Sequence, residues 1–122
     1  MAEASKVRVG VLGAGAWAQR AHLPGYRRDE RCEVVAICDP QRDLAEALAG
    51  EFEIPEVIDD WQQLVSRSDI DLVDVCTPSA THFELSWAAL EAGKHVLCEK
   101  PVAYDYRETR RAAEFARSRG LK

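Results

Sequence analysis

The sequence predicts an α/β domain built on a doubly wound, all-parallel sheet with strand order 3-2-1-4-5. Short apolar runs alternate with segments of helical periodicity, which is typical of successive right-handed β-α-β crossovers. The runs are rich in Val, Leu and Ile with few polar breaks, as in strands that are covered on both faces. The first run passes directly into a helix through Gly13 and Gly15, a turn typical of this class of sheet.

Length and composition exclude several classes of protein. The chain has 122 residues, 47% of them hydrophobic and 30% charged, which fits one domain with a single core. A net charge of −5 without a basic block argues against nucleic-acid binding. No apolar stretch is long enough to span a membrane, and the first six residues are too short and polar for a signal peptide, so we expect a cytoplasmic location. The four cysteines lack C-x-x-C spacing, and we expect them to be reduced thiols.

Periodicity and turn residues place the elements along the chain. We expect strands over residues 7–12, 33–38, 57–58, 71–76 and 94–98. The first helix should run from Ala16 to about Arg28 but kink or end near Pro24, leaving residues 25–31 as a polar connection. The second helix should have Pro40 in its first turn, and the later helices should begin after Asp60, Ser79 and Asp105, with glycines at the ends of the last two. The chain stops where a sixth strand would begin, so we expect a truncated sheet, although a complete five-stranded domain is the alternative.

The turn after the first strand has the pattern of a dinucleotide-binding loop. Gly13 and Gly15 occupy the first two positions of G-x-G-x-x-G/A, and Ala18 occupies the third, where a methyl group still permits close packing. A helix beginning at Ala16 would direct free N–H groups toward a diphosphate. An ordinary tight strand-to-helix turn is the alternative, because short glycine patterns also occur by chance.

An acidic residue at the end of the second strand supports the dinucleotide interpretation. Asp39 lies 21 positions after Ala18, where a carboxylate reaches the ribose hydroxyls of NAD. Its charge would repel the 2′-phosphate of NADP, whereas Arg42, one turn further on, would weaken that repulsion. We therefore predict NAD as the cofactor, with NADP as the alternative. Asp39 could also serve as a helix N-cap.

Four segments together resemble one family of oxidoreductases. They are residues 13–17 (GAGAW), 38–39 (CD), 76–82 (CTPSATH) and 92–101 (AGKHVLCEKP). These motifs are similar to those of the glucose–fructose oxidoreductase, inositol dehydrogenase and rhizopine-catabolism (Gfo/Idh/MocA) family, over the whole chain. The resemblance implies a Rossmann domain that binds NAD(P), followed in the full-length enzyme by a second α/β domain that binds a sugar or polyol substrate and builds a homo-oligomer.

The resemblance also assigns the Glu-Lys-Pro turn to the reaction centre. It implies that Lys100 lies beside the nicotinamide and substrate, where it bonds the hydroxyl being oxidised and assists its proton transfer. A lysine sheltered from water loses part of its preference for the charged form, which suits acid–base chemistry. The alternative is a lysine that is solvated or paired with Glu99. We expect Glu99 to orient the turn and Pro101 to fix its backbone, with a cis peptide as one option.

The loop after the fourth strand completes the predicted site. The resemblance places Thr77, Pro78 and His82 along the cofactor, although His82 could equally brace the loop. Trp17 could cover the cofactor, contact a partner domain, or simply pack. His22 and His95 lie on different elements with no third ligand near in sequence, so we predict no metal site.

These observations predict the cofactor domain of an NAD(P)-dependent enzyme that transfers hydride between nicotinamide and a hydroxyl carbon. We expect the 122-residue chain to bind cofactor without turnover. One alternative is a stand-alone NAD(P)-sensing or scaffold domain, which would need Gly13, Gly15 and Asp39 but not Lys100. Another is a flavin- or nucleoside-type ligand in a similar fold.

Overall fold

The computed structural model describes residues 4–122. Part of the segment considered as a leader, residues 1–3, therefore lies outside the described residues. Five parallel strands form one sheet in the order β3-β2-β1-β4-β5, which confirms the predicted topology. The strands are β1 (Val7–Leu12), β2 (Cys32–Cys38), β3 (Glu56–Ile58), β4 (Leu72–Val75) and β5 (His95–Cys98).

Helices cover both faces of this sheet. Residues 16–28 form one continuous helix with a π-helical part at Ala18–His22, followed by α1 (Leu23–Arg28). The others are α2 (Arg42–Phe52), α3 (Trp61–Ser66), α4 (His82–Glu91), which follows a short 3₁₀ turn (Ser79–Thr81), and α5 (Tyr106–Ser118). No helix within residues 4–122 has the length and apolar character needed to cross a bilayer.

The first helix spans residues 16–28, as expected, but the option that it ends near Pro24 and leaves a polar connection over residues 25–31 is wrong. The helix continues to Arg28 because its distortion falls just before the proline. Leu23 donates its N–H to the carbonyl of Ala18, five residues back, so the turn is wider than an α-turn. A widened turn accommodates a residue that lacks an N–H donor and whose ring crowds the carbonyl four residues earlier.

Most predicted starts and ends of helices are confirmed, by capping hydrogen bonds at the starts and by glycine conformations at the ends. Asp60 accepts the N–H of Gln62 at 2.9 Å, and Asp105 accepts that of Arg107 at 2.9 Å. Gly93 and Gly120 adopt φ of +82° and +69° after α4 and α5, a conformation that favours glycine. Pro40 does not lie in the first turn of α2, because that helix begins at Arg42 with Gln41 as its N-cap.

Alternate residues of the strands contribute to two apolar clusters, one on each face of the sheet. A third, smaller cluster joins Leu90 of α4 to Ala112 and Ala116 of α5. Val9 and Val11 pack with Ala18 and Leu23 of the first helix and with α2. Leu12, Val73 and Val75 face the other side, toward α3 and α4. The four cysteines are free thiols, as expected. This arrangement holds the carboxyl ends of β1, β2, β4 and β5 at one edge, with the reversal of strand order between β1 and β4.

Candidate cofactor site at the carboxyl edge of the sheet

The turn after β1 packs tightly against the end of β4. Gly13 has φ +100°, and a Cβ added there would lie 2.6 Å from the carbonyl oxygen of Cys76. Its N–H donates to the carbonyl of Cys38 at 2.7 Å, which ties the turn to β2 as well. The protein's own backbone therefore requires glycine at this position.

Two residues further on, the turn opens to solvent. A Cβ added at Gly15 would meet nothing within 4 Å, so the fold itself does not require glycine here. Gly15, Ala16 and Trp17 are exposed, whereas Ala18 is fully buried against β1. The first N–H groups of a helix have no acceptor within the helix, and here they belong to exposed residues. The turn fits a diphosphate that approaches the backbone closely.

Asp39 holds the glycine turn and the start of α2 together. One oxygen of its carboxylate, Oδ2, accepts the N–H of Ala14 at 2.8 Å, and Oδ1 accepts the N–H of Gln41 at 2.8 Å. Because Gln41 is the N-cap of α2, Asp39 braces the approach to the helix from outside it. The half-buried carboxylate is fixed beside the open space next to Gly15.

A cavity of about 400 Å³ lies between the ends of β1, β2 and the loop after β4. Its lining combines one aromatic ring, Trp61, with three carboxylates, Asp39, Asp59 and Glu84. Thr77 and Pro78 also line this cavity. Trp61 was not among the predicted site residues, because it has the helical spacing of an apolar core residue of α3, which gives no sign that the ring also borders a cavity.

Arg42 is paired with two acidic side chains. Its Nε donates to Glu46 at 2.8 Å, and Nη1 donates to Asp59 at 2.5 Å. The hydrogen bond to Asp59, followed by that to Glu46, raises the pKa of the guanidinium. In this conformation Arg42 offers little unpaired charge to a phosphate near Asp39.

The loop after β4 is braced by a buried histidine. His82 is 2% exposed, and its ring nitrogens lie 2.7 Å from two backbone carbonyl oxygens. Nδ1 faces the carbonyl of Pro101 and Nε2 faces that of Thr77. This is the bracing role considered in the sequence analysis, and a contact of His82 with cofactor stays a prediction.

Lys100 and Pro101 are exposed at the end of β5, and the peptide bond between them is cis. Lys100 forms no ion pair within residues 4–122. Its neighbour Glu99 accepts a hydrogen bond from His22 Nε2 at 2.6 Å, so the predicted alternative of a Glu99–Lys100 pair does not form. Trp17 is 64% exposed and does not pack into the core.

Glu99 is joined through His22 to a buried network of polar side chains. His22 Nδ1 lies 2.6 Å from Oδ2 of Asp74, a β4 residue with no exposed surface. The same oxygen accepts the hydroxyl of Tyr26 at 2.6 Å, and the Cys76 thiol lies 3.3 Å from Oδ1. Burial disfavours the imidazolium, but its bonds to Asp74 and Glu99 outweigh burial and raise the pKa of His22.

This network was not predicted from the sequence, because His22, Asp74 and Glu99 lie far apart along the chain. One signal was present: Asp74 interrupts an apolar strand, and a buried carboxylate requires partners. Polar atoms of three residues, His22, Asp74 and Cys76, lie within 4.8 Å of one another, although His22 is far from the other two in the sequence. Their mutual hydrogen bonds account for the cluster, and the prediction of no metal remains a prediction.

The fold and the glycine turn define the class of the protein as a Rossmann-type dinucleotide-binding domain. The model of the Gfo/Idh/MocA oxidoreductase family, described as an NAD-binding Rossmann fold, matches residues 7–122. The chain belongs to this family.

Several characterised proteins are similar to the chain. D-glucoside 3-dehydrogenase of Escherichia coli is 39% identical over 116 residues, which cover 95% of the chain and 33% of that enzyme. A dTDP-3,4-didehydro-2,6-dideoxy-α-D-glucose 3-reductase of Saccharopolyspora spinosa is 41% identical over 115 residues, 94% of the chain and 34% of the enzyme. The chain thus spans about a third of the length of these relatives.

Solved structures agree in fold. A 3-ketoreductase from Actinomadura kijaniata, in complex with NADP and TDP-benzene, superposes with a TM-score of 0.91 at 38% identity over 96% of the chain and 36% of that enzyme. A biliverdin reductase from Synechocystis, in complex with biliverdin and NADP⁺, gives 0.87 at 34% identity over 94% of the chain and 36% of the enzyme. Similar cofactor domains therefore occur in enzymes with chemically different substrates.

Proposed function

We propose that the chain is the cofactor domain of an enzyme that transfers hydride between the nicotinamide of NAD and a hydroxyl carbon of a sugar, polyol or related small molecule. One observation supports this most directly. The open turn at Gly15, the anchored carboxylate of Asp39 and the unpaired Lys100 all follow the carboxyl ends of strands in the same parallel sheet. They span the edge of the sheet across its point of reversal, where an extended dinucleotide fits.

Each group has a distinct role in this proposal. Asp39 accepts hydrogen bonds from the adenosine ribose, while the backbone at Gly15 and Ala16 faces the diphosphate. Thr77 and Pro78 border the cofactor, and Trp61 offers an apolar face to the base. When bound, NAD supplies the hydride acceptor. Lys100 forms a hydrogen bond with the substrate hydroxyl and assists the transfer of the hydroxyl proton.

The charges around the cavity favour NAD over NADP. Asp39 and Asp59 both border the space that a 2′-phosphate would enter, and Arg42 is already held by Asp59 and Glu46. A phosphate there would meet like charge without a free cation. The neighbouring structures with NADP indicate that other domains of this fold accept the phosphate, so the preference proposed here depends on these side chains.

The substrate class is inferred from relatives. Both sequence relatives described above act on sugar derivatives, which favours a carbohydrate-like substrate. Their additional length leads us to propose a second domain that supplies the substrate pocket, a further acid–base group and the contacts of a homo-oligomer. On this view the 122-residue chain binds cofactor without turnover.

Calorimetry with NADH and NADPH tests cofactor binding directly. We expect NADH to bind more tightly, and tighter binding of NADPH would contradict the proposed preference. An absorbance spectrum of the purified protein distinguishes a bound flavin from a nicotinamide-binding domain.

A variant of Lys100 tests the enzyme against the alternative of a sensing or scaffold domain. In the chain extended by its downstream sequence, Lys100→Met should abolish turnover while NADH still binds. A sensing domain would be unaffected by the substitution. Robust dehydrogenase activity of the 122-residue chain alone would contradict the proposed need for a second domain.

A further inference from the structure

Lys100 lies between two residues that are each held by a histidine. Glu99, on one side, accepts a hydrogen bond from His22 Nε2 at 2.6 Å. Pro101, on the other side, has its carbonyl oxygen 2.7 Å from His82 Nδ1. Lys100 itself is exposed, so its position depends on how firmly its two neighbours are held.

Both histidines are anchored behind the turn to β4 or to the loop that follows it. The second ring nitrogen of His22 lies 2.6 Å from Asp74, which is inside β4 and fully buried. The second ring nitrogen of His82 lies 2.7 Å from the carbonyl of Thr77. His22 therefore bridges β4 and the turn after β5, and His82 bridges the loop after β4 and the same turn.

The two bridges approach the turn from opposite faces of the sheet. His22 belongs to the helix that packs with α2 against one face, and His82 begins α4 on the other. A turn held from one face could still rotate about that contact. Contacts from both faces restrict this rotation.

Charge strengthens the bridge through His22. The Asp74 carboxylate lies within hydrogen-bond distance of His22 Nδ1, the Tyr26 hydroxyl and the Cys76 thiol. With carboxylates at both ring nitrogens, His22 can donate from each only as an imidazolium. Hydrogen bonds between charged groups are shorter and stronger than neutral ones. Because Glu99 is engaged by His22, its carboxylate is kept from Lys100.

We propose that His22 and His82 form a two-sided clamp on residues 99–101 that sets the position of Lys100 at the nicotinamide end of the site. They are positioning residues, since they act through Glu99 and Pro101 and not on the cofactor. The inference rests on the proposed function for its purpose, but the clamp is a property of this chain and can be measured without cofactor.

Two ligands separate an effect on Lys100 from a general defect. ADP-ribose contains the adenosine and diphosphate groups but lacks nicotinamide, so its binding depends on the glycine turn and Asp39. In His22→Leu and His82→Leu we expect the Kd for NADH to rise about tenfold and the Kd for ADP-ribose to change less than about twofold. His95→Leu is the matched control, because His95 on β5 contacts the chain terminus at Lys122 and not the turn.

Amide hydrogen exchange measures the clamp in the free protein. Exchange at the Lys100 N–H should accelerate about tenfold in both variants and stay unchanged in the control. The ¹⁵N signals of His22 should indicate that both ring nitrogens are protonated in the wild type. If His22→Leu fails to fold, Glu99→Gln tests the same contact from the turn, and His82→Gln, which keeps one amide donor, should restore part of the NADH affinity lost in His82→Leu.

The outcomes distinguish the two proposals. If the wild type binds neither NADH nor ADP-ribose, the proposed function fails, and exchange at Lys100 alone decides whether the clamp exists. The clamp is overturned if exchange at Lys100 is the same in the variants and the control. Its role toward nicotinamide is overturned if the affinities for both ligands fall in parallel or if neither changes.

Discussion

Asp39 and Ala14 are joined by a hydrogen bond of 2.8 Å from the backbone N–H of Ala14 to the carboxylate Oδ2. The acid at the end of β2 is thus part of the glycine turn as well as a side chain that faces the cavity. Its other oxygen is held by Gln41, so the carboxylate is fixed before any ligand arrives. A preorganised acceptor loses little conformational entropy when a ribose binds.

Replacing Asp39 should alter cofactor preference. Asp39→Asn removes the negative charge but leaves one oxygen that can still accept the Ala14 N–H. We expect the ratio of NADH to NADPH affinity to fall by about tenfold, because a hydrogen bond to a charged group is lost and repulsion of the 2′-phosphate is relieved. Calorimetric titrations with both nucleotides measure the ratio. Asp43→Asn, on the exposed first turn of α2, is the control, and an unchanged ratio in Asp39→Asn would contradict the role of Asp39.

The two glycines of the turn should respond differently to the same substitution. In Gly13→Ala the new Cβ would collide with the Cys76 carbonyl at a positive φ, and we expect a loss of about 1–3 kcal/mol in unfolding free energy. In Gly15→Ala the added methyl meets no protein atom, so stability should change by less than about 0.5 kcal/mol. The Gly15 variant should instead bind NADH at least about tenfold more weakly, because the methyl enters the space of the diphosphate.

Urea unfolding and NADH titration on both variants test this contrast. Equal destabilisation of the two variants would contradict it. So would undiminished NADH affinity in Gly15→Ala.

The sheet could be predicted because its signals are local. Each strand is a short apolar run, and each helix has its own periodicity and ending residue. The number of helices and strands and their succession along the chain therefore follow from local sequence. The sequence signals for the cofactor end of the site were also local, since Gly13, Gly15 and Asp39 lie in the first two strand-to-helix turns. The wide turn before Pro24 was not predictable in this way, because it depends on how the helix packs and not on a single residue.

The network behind Lys100 depends on contacts between distant residues. His22 meets Asp74 and Glu99 only after β1, β4 and β5 have assembled, and no spacing in the sequence encodes that meeting. Asp74 inside an apolar strand was the one local anomaly. It indicated a buried polar partner without identifying which residue that partner was.

Lys94 should contribute to stability through its buried ammonium. It is 8% exposed, and its Nζ donates to the carbonyls of Arg67 and Ile70 before β4. Burial lowers the pKa of Lys94. Lys94→Met retains much of the side-chain volume but leaves both carbonyls without this donor, and we expect a loss of about 2 kcal/mol in unfolding free energy. Chemical denaturation measures it, with the exposed Lys6→Met as control; equal stability of the two variants would contradict the prediction.

The contact between His22 and Glu99 should make stability depend on pH. The pKa of His22 is raised in the folded state above its ordinary value of 6.5, so its contribution is complete below pH 6.5 and is lost as pH rises through the higher folded-state value. The hydrogen bond from His22 lowers the pKa of Glu99 from 4.5, so that contribution is present above pH 4.5 and is lost as pH falls through the lower value. The pair should therefore stabilise the fold most between about pH 4.5 and 6.5. Urea unfolding across this range and at higher pH should give a smaller decline above pH 6.5 in His22→Gln than in the wild type, because glutamine does not titrate. His95→Gln should behave as the wild type does, and identical pH profiles for all three proteins would contradict a charged His22 in the folded state.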